Sequence, residues 1–144
     1  MVEQDTVRLL RECDAGIRMG VASIDDVLEH VASTDFKKRL LDCKQAHEAL
    51  GMELESLLSE YGDEGKSPNP IAKGMSWIKT NVKLGMNESD QTVASLMTDG
   101  CDMGVKSLSR FLNECKDADE RAKDICRRLI DLEEGLGEDI RSYL

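Results

Sequence analysis

Apolar side chains return at steps of three and four residues along four long stretches of this chain, a spacing that commits it to helices packed side by side. In the first stretch the series is Leu10, Cys13, Ile17, Val21, Ile24, Leu28 and Val31. Such positions share one face of an α-helix, so a sustained series marks a helix with one buried side. It predicts a helix from about Val2 to His30, broken only by Gly16 and Gly20. Glycine lowers helix propensity, so this pair reads as a place where a neighbouring helix comes close.

The segment VASTD interrupts the pattern, and Ser33 or Thr34 can cap a second helix. Its seam is Phe36, Leu40, Cys43, His47, Leu50, Leu54, Leu57 and Tyr61. Gly62 follows and can take the left-handed conformation that ends helices. A third helix begins at Ser89 or Asp90 and buries Val93, Met97, Cys101, Val105, Leu108, Leu112 and Cys115. After the short turn KDADE, a fourth carries Ala122, Ile125, Leu129, Leu132, Leu136, Ile140 and Tyr143. Composition agrees. Aromatic residues make up 3% of the chain, and its two prolines both lie between Ser67 and Ile71. That bias favours helix over sheet.

Two tight turns make each consecutive pair an antiparallel hairpin. The link from Gly62 to Asp90, about 28 residues, can span a helix-length bundle of about 40 Å. The second and third helices can then run parallel. Within the link, Asn69 and Pro70 form a proper helix start, and Ile71, Met75, Ile78 and Val82 fall on one face. The reading is one domain over residues 1–144: a hairpin at 2–62, a crossover with a short helix at 63–89, and a hairpin at 90–144. At 144 residues such a domain buries a core without metal or disulfide staples.

The hairpins echo each other. Cys13-Asp14-Ala15-Gly16 returns as Cys101-Asp102-Met103-Gly104, 88 residues on. Glu48, Leu50, Gly51, Ser56 and Leu58 return as Glu134, Leu136, Gly137, Ser142 and Leu144, 86 residues on. The matches come in order, which is the mark of an internal repeat.

In Cys13-Asp14-Ala15-Gly16, in Gly74-Met75-Ser76-Trp77-Ile78-Lys79 and in Thr98-Asp99-Gly100-Cys101-Asp102-Met103-Gly104, the chain resembles a bacterial domain-of-unknown-function family. Its members are small four-helix bundles of the ferritin-like superfamily. The resemblance implies an all-α, ferritin-like antiparallel bundle of two similar hairpins joined by a long crossover. Metal-binding members of the wider superfamily hold two metals with a Glu from each of two helices and Glu-x-x-His from the other two. This chain departs from that pattern: it has no Glu-x-x-His, and its histidines are His30 and His47.

Polar residues interrupt the seams at Asp14, His47, Asp102 and Glu133. Under the repeat Asp14 matches Asp102 and His47 matches Glu133. Three carboxylates and an imidazole facing one core can ligate a divalent metal such as iron, manganese or zinc. They can equally satisfy one another by hydrogen bonds, as buried polar groups must. Glu48 and Glu134 stand one residue further round and are alternates. The cysteines Cys13, Cys43, Cys101, Cys115 and Cys126 form no CxxC and read as small buried hydrophobes.

A net charge of −10 repels nucleic acid and anionic membrane. The start MVEQDTVRLLRECD has neither the basic opening nor the apolar run of an export signal, and an odd number of thiols suits a reducing cytoplasm. There is no elbow nucleophile and no Gly-rich phosphate loop. The functional expectation is therefore a non-catalytic bundle that acts by self-association, as a homodimer, or by binding a protein partner. Trp77 and Ile78 of the crossover are a candidate apolar patch for that role. The alternative is a degenerate ferritin-like metal protein with a storage, sensing or oxidase role.

Overall fold

The computed structural model describes residues 2–62 and 89–144. The expected crossover helix, with Trp77 and Ile78, lies outside the described residues. Four helices carry the rest: α1 (Val2–Leu28), α2 (Thr34–Glu60), α3 (Asp90–Glu114) and α4 (Glu120–Asp139), followed by a 3-10 turn (Arg141–Tyr143). The starts follow from side-chain capping, which satisfies amide groups that have no partner in the first turn. Ser33 accepts from the Phe36 amide, Ser89 from the Thr92 amide and Asp119 from the Arg121 amide. Gly62 sits just past α2 at φ 72°, the left-handed region that a side chain disfavours.

Cross-links fix the directions of the helices. Lys44 Nζ meets Asp25 at 2.7 Å, so α1 and α2 are antiparallel. Arg8 pairs with Glu114 at 2.7 Å, and the α1–α2 turn donates the Ala32 and Ser33 amides to Asp90 at 2.7 and 3.1 Å. Hence α1 and α3 are antiparallel as well. Between α2 and α4 a ladder descends with regular register: Glu60 to Arg121, Glu53 to Arg128, His47 to Glu133, Arg39 to Asp139 and Asp35 to Tyr143. All side-by-side neighbours are thus antiparallel, and α2 runs parallel to α3. This is the one-crossover topology that the length of the link permits.

The core has two parts. One contains Leu9, Leu10, Cys13 and Ile17 of α1 with Leu50, Leu54, Leu108, Ile125 and Leu129. The other contains Ile24 and Val27 with Phe36, Leu40, Val93, Met97, Leu136 and Ile140. Burying a side chain of this kind stabilises by about 1.5–3 kcal/mol relative to leaving it exposed. The second core is closed by Tyr143, whose ring stacks on Phe36 at 4.4 Å while its hydroxyl donates to Asp35. The first is closed by Asp119. Its backbone amide donates to Thr6 at 2.7 Å, and its carboxylate accepts from Tyr61 at 2.8 Å and from Arg121. Arg121 and Tyr61 hold that carboxyl well below the usual carboxylate range.

A Cβ on Gly16 would meet Leu129 and Leu108 at 3.6 and 3.8 Å, ordinary contact distances, so an alanine would fit there. The diagonal pair α1 and α4 is packed together across the bundle.

Candidate functional site: a polar layer between two cores

Each helix changes character once, at the same level. In α1 it is Gly20, between Ile17 of one core and Ile24 of the other. In α2 it is His47, in α3 Gly104, and in α4 Glu133. His47 is 1% exposed, and its Nε2 lies 3.2 Å from Glu133 Oε1. Its Nδ1 lies 2.8 Å from the carbonyl oxygen of Cys43, one turn back on the same helix. A carbonyl only accepts, so Nδ1 carries a proton. Nε2 then either donates to a Glu133 carboxylate or accepts from a Glu133 carboxylic acid.

The surroundings favour the first. Burial opposes a charged imidazole, but Cys43 and Glu133 outweigh burial and raise the His47 pKa to about 10. That direction favours an imidazolium at neutral pH, bridging a backbone carbonyl and a carboxylate. The thiol of Cys101 is pushed up by burial and by the Glu133 carboxylate beside it, so it stays protonated. The Cys43 thiol lies 3.5 Å from His47 Nδ1.

Gly20 makes room for this pair. A Cβ on Gly20 would stand 3.0 Å from His47 Nε2 and 3.5 Å from Glu133 Oε1. A Cβ on Gly104 would reach Glu133 at 3.6 Å. The Gly20 contact is tight, and the ring it meets is held at both nitrogens.

Of the four seam residues, the fold brings His47 and Glu133 into contact, sets Asp102 on a groove that Glu133 also lines, and leaves Asp14 with Arg18. Asp14 is 2% exposed, takes Nε of Arg18 at 3.3 Å on one oxygen, and has no partner among the described residues on the other. Asp102 is exposed. The Asp in each Cys-Asp-x-Gly lies about 100° round the helix from its buried Cys. That flank is closed at Asp14. At Asp102 it opens onto a groove of about 590 Å³ between α3 and α4, lined by Lys106, Glu133, Glu134, Glu138 and Arg141. Of the alternates, Glu134 is exposed on this groove and Glu48 on the outer side of α2. The parts that sequence reasoning missed are Gly104 and the two thiols, Cys43 and Cys101. Small residues level with a polar seam position were the available signal.

The crystal structure of Dps92 from Deinococcus radiodurans matches this chain with a TM-score of 0.78. The match covers 99% of this chain and 87% of that one, at 10% sequence identity. The chain has a ferritin-like fold. At that identity the likeness concerns the fold alone. No family model matches the chain, and no curated protein does.

A ferritin-like interior invites the two-metal arrangement, and the described residues do not assemble it. Among the described residues, no group of three or more His, Cys, Asp and Glu side chains is placed to hold an ion. Arg18 engages Asp14, and Asp102 faces the groove. The mid-bundle level is instead an ion pair tying α2 to α4, within reach of the groove through Glu133.

Two predictions follow from the pair. The folded pKa of His47 lies above its ordinary value of 6.5. Its stabilisation is therefore complete below about pH 6.5 and is lost as pH rises through about 10. Urea melts of the wild type should lose stability across that window. His47→Gln should flatten this loss, and at pH 7 it should cost about 1–2 kcal/mol by removing the positive charge beside Glu133. Second, Gly20→Ala should destabilise the fold despite the higher helix propensity of alanine. Gly135→Ala, where a Cβ meets nothing within 4 Å, should stabilise by up to about 1 kcal/mol. Thermal melts of the two variants moving in the same direction would contradict this.

Proposed function

We propose that this protein is a non-catalytic ferritin-like bundle that works by association, with copies of itself or with a protein partner. The observation carrying this reading is the contrast between inside and outside. The buried imidazole has both nitrogens engaged, while large apolar side chains stand on the surface: Leu41 and Met52 on α2 and Met103 on α3. An exposed methionine is a frequent component of adaptable binding surfaces. The acidic surface, at net charge −10, disfavours nucleic acid and anionic lipid as partners. No helix among the described residues is long and apolar enough to cross a membrane. A cytoplasmic setting and membership of the bacterial family of small bundles named above belong to the same proposal.

The test is sedimentation velocity across a wide concentration range, paired with affinity capture from the native cell extract. Dimers, or a specific captured protein, are expected. A strict monomer that captures nothing would remove the reading.

A second reading, a ferritin-like protein binding iron, manganese or zinc, draws on one feature. With Nδ1 fixed on a carbonyl, His47 presents Nε2 to a carboxylate, the orientation that outer hydrogen bonds give ligating histidines. Metal analysis of protein purified without chelator discriminates. The associative reading expects far less than one metal per chain, unchanged in His47→Ala. A stoichiometric metal lost in that variant would favour the second reading.

A further inference from the structure

We propose that the outward face of α2 is a self-complementary seam that pairs two copies of this chain antiparallel about a twofold axis. The proposal rests on the associative reading and names its surface and its partner. Along α2, Lys38, Leu41, Gln45, Glu48, Met52 and Glu55 recur at steps of three, four, three, four and three. That is the spacing of a helix-to-helix seam, and it lies roughly opposite the face carrying Phe36, Leu40, His47, Leu50 and Leu54. All six residues are exposed. Leu41 is 43% exposed and Met52 71%.

Several charges elsewhere on α2 are engaged within the chain. Glu53 binds Arg128, Glu60 binds Arg121, Arg39 meets Asp35 and Asp139, and Lys44 meets Asp25. Lys38 and Glu55 make no salt bridge among the described residues.

The sequence of the stripe is complementary to its own reverse. Place a twofold axis between Gln45 and Glu48. Leu41 then meets Met52 of the second copy, Lys38 meets Glu55, and Gln45 meets Glu48, each contact occurring twice. This is the isologous interface that a twofold dimer requires. A parallel pairing would set Lys38 against Lys38 and Glu55 against Glu55, so charge selects the antiparallel arrangement. One helix-to-helix seam lies at the small end of interface areas, and its ion pairs are exposed. The dimer is therefore concentration-dependent and weakened by salt.

Sedimentation velocity of the full chain tests the seam through charge reversal. Lys38→Glu alone and Glu55→Lys alone should each weaken dimerisation by about tenfold, because each sets like charges in contact twice. An equimolar mixture of the two single variants should dimerise as the wild type does, since each variant then faces its complement. The chain carrying both reversals should do the same. Met52→Glu should leave a monomer with an unchanged circular dichroism spectrum. If the wild type dimerises and neither single reversal alters it, the seam is wrong while the associative reading stands. A wild type monomeric at every concentration overturns the seam. If Met52→Glu then also lowered the melting midpoint, the stripe would be assigned to contacts within one chain.

Discussion

Among the contacts between the two halves of the bundle, the bridge from His47 to Glu133 is the buried ion pair. It sits where an apolar core would ordinarily continue. Ion pairs removed from water gain little over well-packed hydrocarbon, because desolvation offsets much of the attraction. Here the cost is limited by geometry. The imidazolium keeps a hydrogen bond at each nitrogen, and Glu133 retains a route to solvent along the groove between α3 and α4. At the level of this bridge stand Gly20 of α1 and Gly104 of α3, and above and below it the two apolar cores begin. The polar layer thus sets where each core ends.

Much of the architecture was legible in the sequence because its causes are local. Steps of three and four residues located all four helices, and Ser33, Ser89 and Gly62 marked where the chain enters and leaves them. The length of the link allowed the parallel arrangement of α2 and α3 that the ladder of cross-links fixes. Boundaries moved slightly: α1 ends at Leu28, and the seam of α4 continues through Ile140 into a 3-10 turn.

The site was legible in part, and the reason is rotational. A seam series records which residues share a face, not how far a neighbour covers the flanks of that face. His47 and Glu133 lie in the middle of their seams and meet. Asp14 and Asp102 lie on flanks, and what covers a flank is decided by the packing of another helix. One is shut in beside Arg18 and the other is open to the groove. The stripe on α2 is masked in the sequence for a related reason. It shares the three-and-four spacing of the core but points away from it, and a strong apolar seam on the same helix draws attention from a mixed one.

The ladder between α2 and α4 has a consequence for how the two hairpins find each other. Each hairpin is joined by a short turn and can form from local contacts, whereas docking them is a long-range event. Apolar faces built on a repeated spacing are tolerant of a slip by one helical turn. A slip here would carry Glu133 against Cys43 or Leu50 and leave the buried His47 facing Leu129 or Leu136, without its carboxylate. The bridge thus acts as an index mark: a misaligned docking lacks the one partner that makes burial of either group tolerable, and the hairpins separate and try again.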